Sequence, residues 1–160
     1  MLVPFESLPE EARIWVYQSN RPFSEEEIQH IAKDLEAFLT QWTAHGSDLQ
    51  AGYELPYNRF IVIGLDQTGA SASGCSIDAS VHFLQALEAK YGVTLLDRMN
   101  VTYKQGEYLA YKSLEEFRKM AKARSVSGKT IVFNNLVANK QDYTQNWEVP
   151  AAESWHSRFF

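Results

Sequence analysis

The chain has a single cysteine, Cys75, among its 160 residues. A lone thiol excludes an internal disulfide and any multi-cysteine zinc centre, so Cys75 can act only as a thiol. Long apolar runs are missing too. The longest, 60–65, is far short of the ~20 residues that cross a bilayer. Residues 1–13 carry Glu6, Glu10 and Glu11 where a secretory signal would have basic and apolar stretches. A cytoplasmic location and no membrane partner are the expectation. Positive charge is scarce: 15 Lys and Arg stand against 20 Asp and Glu, for a net charge of -5. No window clusters Lys and Arg as a phosphate backbone demands, so nucleic acid is not an expected partner. The four histidines are scattered, and Asp78 and His82 share ligand-like i,i+4 spacing without a third ligand beside them. Two ligands hold a metal poorly, so neither metal nor cofactor is expected. Gly-x-Ser-x-Gly, His-Glu-x-x-His and the dinucleotide glycine fingerprint are all absent.

What is present is an ordinary globular composition, 45% apolar and 13% aromatic, at a length that one domain spanning 1–160 can fill. The modest negative charge suits a soluble protein. Alternating bulky residues over 13–19 predict a strand. Ser24-Glu-Glu-Glu27 is a capping box that opens a helix with Ile28, Ile31, Leu35, Phe38, Leu39 and Trp42 on its core face, stopped near Gly46. His45 would then meet the negative end of that helix dipole, and His30 reads as a surface or boundary residue. Residues 52–57 and 60–66 read as strands. The second is apolar on both faces, as a central strand is, and Pro56 puts the first at an edge or gives it a bulge. After a loop of small residues, Ser76 opens a second helix with a stripe of Ile77, Val81, Leu84, Leu87 and Tyr91, closed by Gly92. A hairpin over 99–112, a capped helix from Ser113 and a strand over 131–137 complete the reading. The predicted class is α+β with a mixed or antiparallel sheet and helices packed on it. Its β-α-β-β-α-β order is that of ferredoxin-like domains, followed by a β-α-β extension and an aromatic C-terminal tail. So many tail aromatics must dock on the body or on a second subunit, which makes a homodimer a possible partner.

The segment 124–130 ends in Gly128-Lys129-Thr130 and imitates a phosphate-binding loop. Ala123 stands where the motif needs its first Gly, and Ile131-Val132-Phe133 reads as a strand where the motif needs a helix. A P-loop ATPase is therefore not expected. A stronger candidate is the loop 69–76, where small residues let a ligand approach backbone amides at a helix N-terminus. Ser73, Gly74, Cys75 and Ser76 are its candidate binding residues, and the helix dipole would favour a Cys75 thiolate. Asp78 could fix the tautomer of His82, although His82 starts two turns from Cys75. His45 or His156, folded over the loop, would serve better as a base. Asn134 and Asn135 lie at a strand end, where their amides bind a polar ligand or, more commonly, neighbouring backbone.

The segments Ile14-Trp-Val-Tyr-Gln18, Gln41-Trp-Thr-Ala-His-Gly46, Tyr57-Asn-Arg-Phe60, Ser73-Gly-Cys-Ser-Ile-Asp78, Ser80-Val-His-Phe83, Ile131-Val-Phe-Asn-Asn-Leu-Val137, Asn146-Trp-Glu-Val-Pro150 and Ser154-Trp-His-Ser-Arg-Phe159 carry a further signal. On them the chain resembles, over nearly its whole length, a bacterial family found chiefly in Bacteroidetes and often labelled "ABC transporter ATPase". The label implies ATP hydrolysis. The chain has neither Walker A nor the Leu-Ser-Gly-Gly-Gln signature and is much too short for such a domain, so the resemblance implies no activity. Three functions stay open: a binding module for a small anion or acidic group at loop 69–76, a thiol-dependent enzyme with Cys75 as nucleophile, and a homodimeric structural or interaction protein.

Overall fold

Phe60 to Leu65 offer no polar face, so a strand made from them must be covered on both sides. The computed structural model, which describes residues 1–160, meets that requirement. Strands β1 (Arg13–Gln18), β4 (Gln50–Glu54) and β5 (Phe60–Asp66) form an antiparallel sheet in the order β1-β5-β4. Helix α1 (Glu25–Gln41) and a small hairpin, β2 (Thr43–Ala44) with β3 (Ser47–Asp48), lie between β1 and β4, and α2 (Gly74–Tyr91) follows β5. Ile61, Ile63 and Leu65 join Ile31, Leu35 and Leu39 of α1 and Leu84 and Leu87 of α2 in one core. On the other face, a Cβ added at Gly64 would stand 2.5 Å from the Leu8 side chain and 3.0 Å from the Phe5 ring. Only a glycine lets those two side chains lie so close to the sheet.

Both edges of this sheet are closed. Residues 1–3 run parallel to β4, with Val3 N donating to Ala51 O at 2.9 Å and Ala51 N to Met1 O at 3.1 Å. The segment Ala138–Gln141 runs antiparallel along β1, with Ile14 N donating to Ala138 O at 3.0 Å and Lys140 N to Ala12 O at 2.9 Å. Lys140 Nζ pins it by donating to Leu8 O at 2.6 Å and Glu6 O at 3.1 Å. Such coverage removes the pairing template that a bare edge presents.

The expected capping box at Ser24 and Glu27 is present, as is the left-handed stop at Gly92. Two expectations about the helices need correction. Helix α1 ends at Gln41, because Trp42 turns extended and its indole N–H donates to Ser76 O at 2.8 Å. His45 (φ 51) and Gly46 (φ 80) instead form the two-residue turn between β2 and β3, the left-handed pair that a tight hairpin needs. Helix α2 begins at Gly74, not at Ser76, and buries Ser76, Ser80, Leu84 and Leu87, leaving Ile77 and Val81 half-buried.

Contacts gather into two units: Met1–Leu96 with Ala138–Gln141, just described, and Asp97–Val137 with Asp142–Phe160. Apart from the two-residue strands β2 and β3, the β-α-β-β-α-β order exists along the chain. Its last strand, β6 (Asn100–Gln105), does not enter the first sheet. It pairs with β7 (Tyr108–Ser113) across the turn Gly106-Glu107 and opens a second antiparallel sheet, β7-β6-β8-β9, with β8 (Ile131–Phe133) and β9 (Glu148–Pro150). Helix α3 (Leu114–Lys122) supplies Phe117 to a core with Val101, Tyr103, Val126, Val132 and Ala151. A short helix α4 (Lys140–Asn146) precedes β9. Strand β8 stops at Phe133, where 137 was expected, because Asn134 Oδ1 accepts from Leu136 N at 3.1 Å and bends the chain. The Walker-like segment is a turn: Ser127 N donates to Thr130 Oγ1 at 2.9 Å and Lys129 N to Ser127 Oγ at 3.1 Å, directly before β8. No helix is long and apolar enough to cross a membrane.

Candidate functional site

Helix α2 starts with a capping box made of two serines. Ser73 Oγ accepts from Ser76 N at 3.1 Å, and Ser76 Oγ accepts from Ser73 N at 3.2 Å. Ser76 Oγ also donates to Thr43 O at 2.8 Å. Both hydroxyls named from sequence as ligand contacts are thus engaged, Ser73 in capping the helix and Ser76 in holding its start to the β2–β3 hairpin. The first-turn amides of Gly74 and Cys75 remain, since the first amides of a helix have no carbonyl four residues back. Cys75 is exposed.

From this helix start a groove of about 820 Å³ runs between α1 and α2. Asp34 of α1 bonds Lys90 of α2 at 2.9 Å, while Trp42, just past α1, bonds Ser76 near the start of α2; the two helices are therefore antiparallel, and the groove follows both. Its walls are apolar: Phe38 stacks on Phe83 with ring centroids 4.5 Å apart, and Trp42 meets Phe38 at 5.6 Å. Exposed Ala37, Ala79 and Ala86 carry no bulk that would fill it. One end holds Cys75, Ser73 and His45. The other holds the Asp34–Lys90 pair, joined by the Tyr91 hydroxyl at 3.2 Å from Asp34 Oδ2. The hydrogen bond to Asp34 raises the Lys90 ammonium above its ordinary value, and burial first, then the Asp34 charge, raise the Tyr91 phenol.

Of the residues singled out from sequence, Cys75, Ser73, Ser76 and His45 come together on this groove. Asp78 and His82 do not: both are exposed on α2 outside the groove lining, and no ion pair joins them. The imidazole of His82 therefore gains no fixed tautomer from Asp78. His156 belongs to the second unit, where it is 1% exposed, stacked on Trp155 at 3.8 Å and hydrogen-bonded to Ser154. A ring packed this way cannot fold over the loop as a base. Asn134 and Asn135 are also in the second unit and bond inward: Asn134 N donates to Trp147 O at 2.6 Å, and Asn135 Oδ1 accepts from Trp147 Nε1 at 2.9 Å. The tail aromatics that motivated a homodimer pack on their own unit, with Phe159 and Phe160 edge-on to Phe117 and Trp147 against Phe133 and Tyr143. That packing removes the reason to bury them against a second chain. No three His, Cys, Asp or Glu side chains meet as metal ligands would.

No family model, curated protein or solved structure matches this chain. The groove residues Ala37, Ala79, Phe83 and Ala86 went unnoticed in the sequence. A signal for them exists: Ala79, Phe83 and Ala86 repeat at spacings of four and three, a second apolar stripe on a helix whose core stripe lies elsewhere.

Proposed function

We propose that the chain is a small-ligand binding module whose site is the α1–α2 groove, with the start of α2 receiving an acidic group and the aromatic walls receiving an apolar body. The observation that carries this reading is the groove itself. Its volume falls in the range of ligand sites, and its lining combines aromatic and small apolar side chains with a few polar groups at the ends, as such sites do. The unpaired amides of Gly74 and Cys75 sit where a helix favours negative charge.

Calorimetric titration with straight-chain and aryl carboxylates, each beside its matching alcohol, tests both halves. The carboxylates should bind better than the alcohols. Ala79→Trp, which fills the groove, should weaken binding at least ~10-fold, the loss of ~1.4 kcal/mol of contact. Gly74→Pro deletes one amide donor at a helical position that accepts proline, after a residue already extended (Ser73, ψ 171). It should selectively erase the advantage of the acid. Binding unchanged by Ala79→Trp would remove the groove from consideration.

A second reading, thiol chemistry at Cys75, is favoured by the exposure of that residue and by its sharing one groove with His45. If His45 is its base, His45→Ala should slow alkylation of Cys75 by iodoacetamide several-fold at neutral pH. An unaltered rate would leave the thiol without a base.

A further inference from the structure

The C-terminal turn of the second unit holds two polar groups that burial keeps from water. The indole Nε1 of Trp155 is shut off from solvent and has no hydrogen-bond partner, a state that disfavours the docked turn because a buried donor loses its water. Next to it, His156 is 1% exposed, sandwiched by the Trp155 ring at 3.8 Å and the edge of Phe117 at 6.2 Å. Ser154 Oγ accepts the His156 backbone N–H at 3.3 Å and shares a second hydrogen bond with Nδ1. The charge that acts on the ring is a cation. Its own turn brings Arg158, whose guanidinium stands 5.6 Å from the Trp155 ring and opposes a proton on the imidazole. Helix α3 brings Arg118, over the Phe159 ring at 5.8 Å. From β6 comes Tyr103, against Phe117, and the charge of Glu116 acts on that phenol, not on His156.

We propose that residues 154–160 form an acid-released clasp: mild acidification frees this turn from α3 while the sheet of the second unit stays folded. Release supplies both groups with what burial denies them, water for the indole N–H and a proton for the imidazole, and it uncovers the Phe117 face beneath. Burial first, and Arg158 second, hold the docked imidazole down to about 4, against 6.5 for an exposed ring. The open form is therefore the one that takes up the proton as pH falls below about 6.5. Linkage between these two values makes opening roughly 30-fold more frequent at about pH 5 than at about pH 7.5.

Hydrogen-exchange protection factors, corrected for intrinsic rates, measure this directly at the amides of Ser157 and Phe160, which bond within the turn. Between those two pH values the wild-type turn should lose roughly 30-fold protection while the β6 and β8 amides keep theirs. His156→Phe, which keeps a ring but takes no proton, should lose none. Equal loss in turn and sheet would mean global unfolding and would overturn the clasp, as would acid release that persists in His156→Phe. Should that variant fail to fold, the imidazole proton titration of the wild-type protein decides, since a midpoint near 6.5 would leave no coupling between protonation and docking.

Discussion

Arg21 donates to both carboxylate oxygens of Glu27 at 2.9 Å and to Tyr91 O at 2.7 Å, tying the start of α1 to the end of α2. The Arg21 hydrogen bond, with the Ser24 amide second, lowers the Glu27 carboxyl from its ordinary 4.5 to about 2. A carboxyl depressed on folding stabilises the protein above its unfolded value and loses that contribution as pH falls toward its folded value. Glu27→Gln should therefore cost about 1 kcal/mol at neutral pH, once discounted for a pair that is partly in water. The difference from wild type should fade between about pH 4.5 and about pH 2, as urea titrations across that range would read. The capping box was legible because its spacing is local. The arginine was not, since nothing in Arg21-Pro22-Phe23 names a partner six residues on and another seventy residues away.

Helix α2 shows how an apolar count misreads a face. Its buried positions include Ser76 and Ser80, which hydropathy scores as solvent-facing, and both satisfy their hydroxyls on backbone carbonyls, Thr43 O and Ile77 O. Small side chains there let the helix approach its neighbours, so the face turns and Phe83 with two alanines is left to line the groove. Ser80→Leu should cost about 1–3 kcal/mol by overpacking, and Val81→Ala, at a half-buried site, less than about 1 kcal/mol; thermal unfolding of the two variants would rank them. A reversed order would restore the stripe expected from hydropathy. At the edge of β4, a Cβ on Gly52 would lie 2.7 Å from Val3 O, a backbone atom that cannot swing aside. Gly52→Ala should therefore peel residues 1–5 from the sheet, seen as lost exchange protection at Ala51 N and faster aminopeptidase trimming. The helix start at loop 69–76 could be found from its serines and glycine. The groove could not, because it depends on which faces of two helices remain uncovered after both have packed.

Each of the two units has its own core, and Phe117 is a large, fully buried ring in that of the second. Phe117→Ala should cost that unit about 3–5 kcal/mol, read as lost protection of the β6 and β8 amides. The run of strands and helices was largely legible, since hairpin turns, caps and central-strand character are written in neighbouring residues. Membership of a sheet was not: β6 follows α2 at the position where a ferredoxin-like fold would insert a fourth strand, yet it takes its partner from the adjacent hairpin. The return of Ala138–Gln141 to β1 was equally invisible, because its pairing spans more than a hundred residues. That return has a consequence for synthesis. On a ribosome adding about 5–20 residues per second, strands β1, β4 and β5 emerge seconds before the four residues that cover the outer flank of β1. For that interval the nascent sheet carries one open side, and it is then that a chaperone or a neighbouring chain has its best chance to bind there.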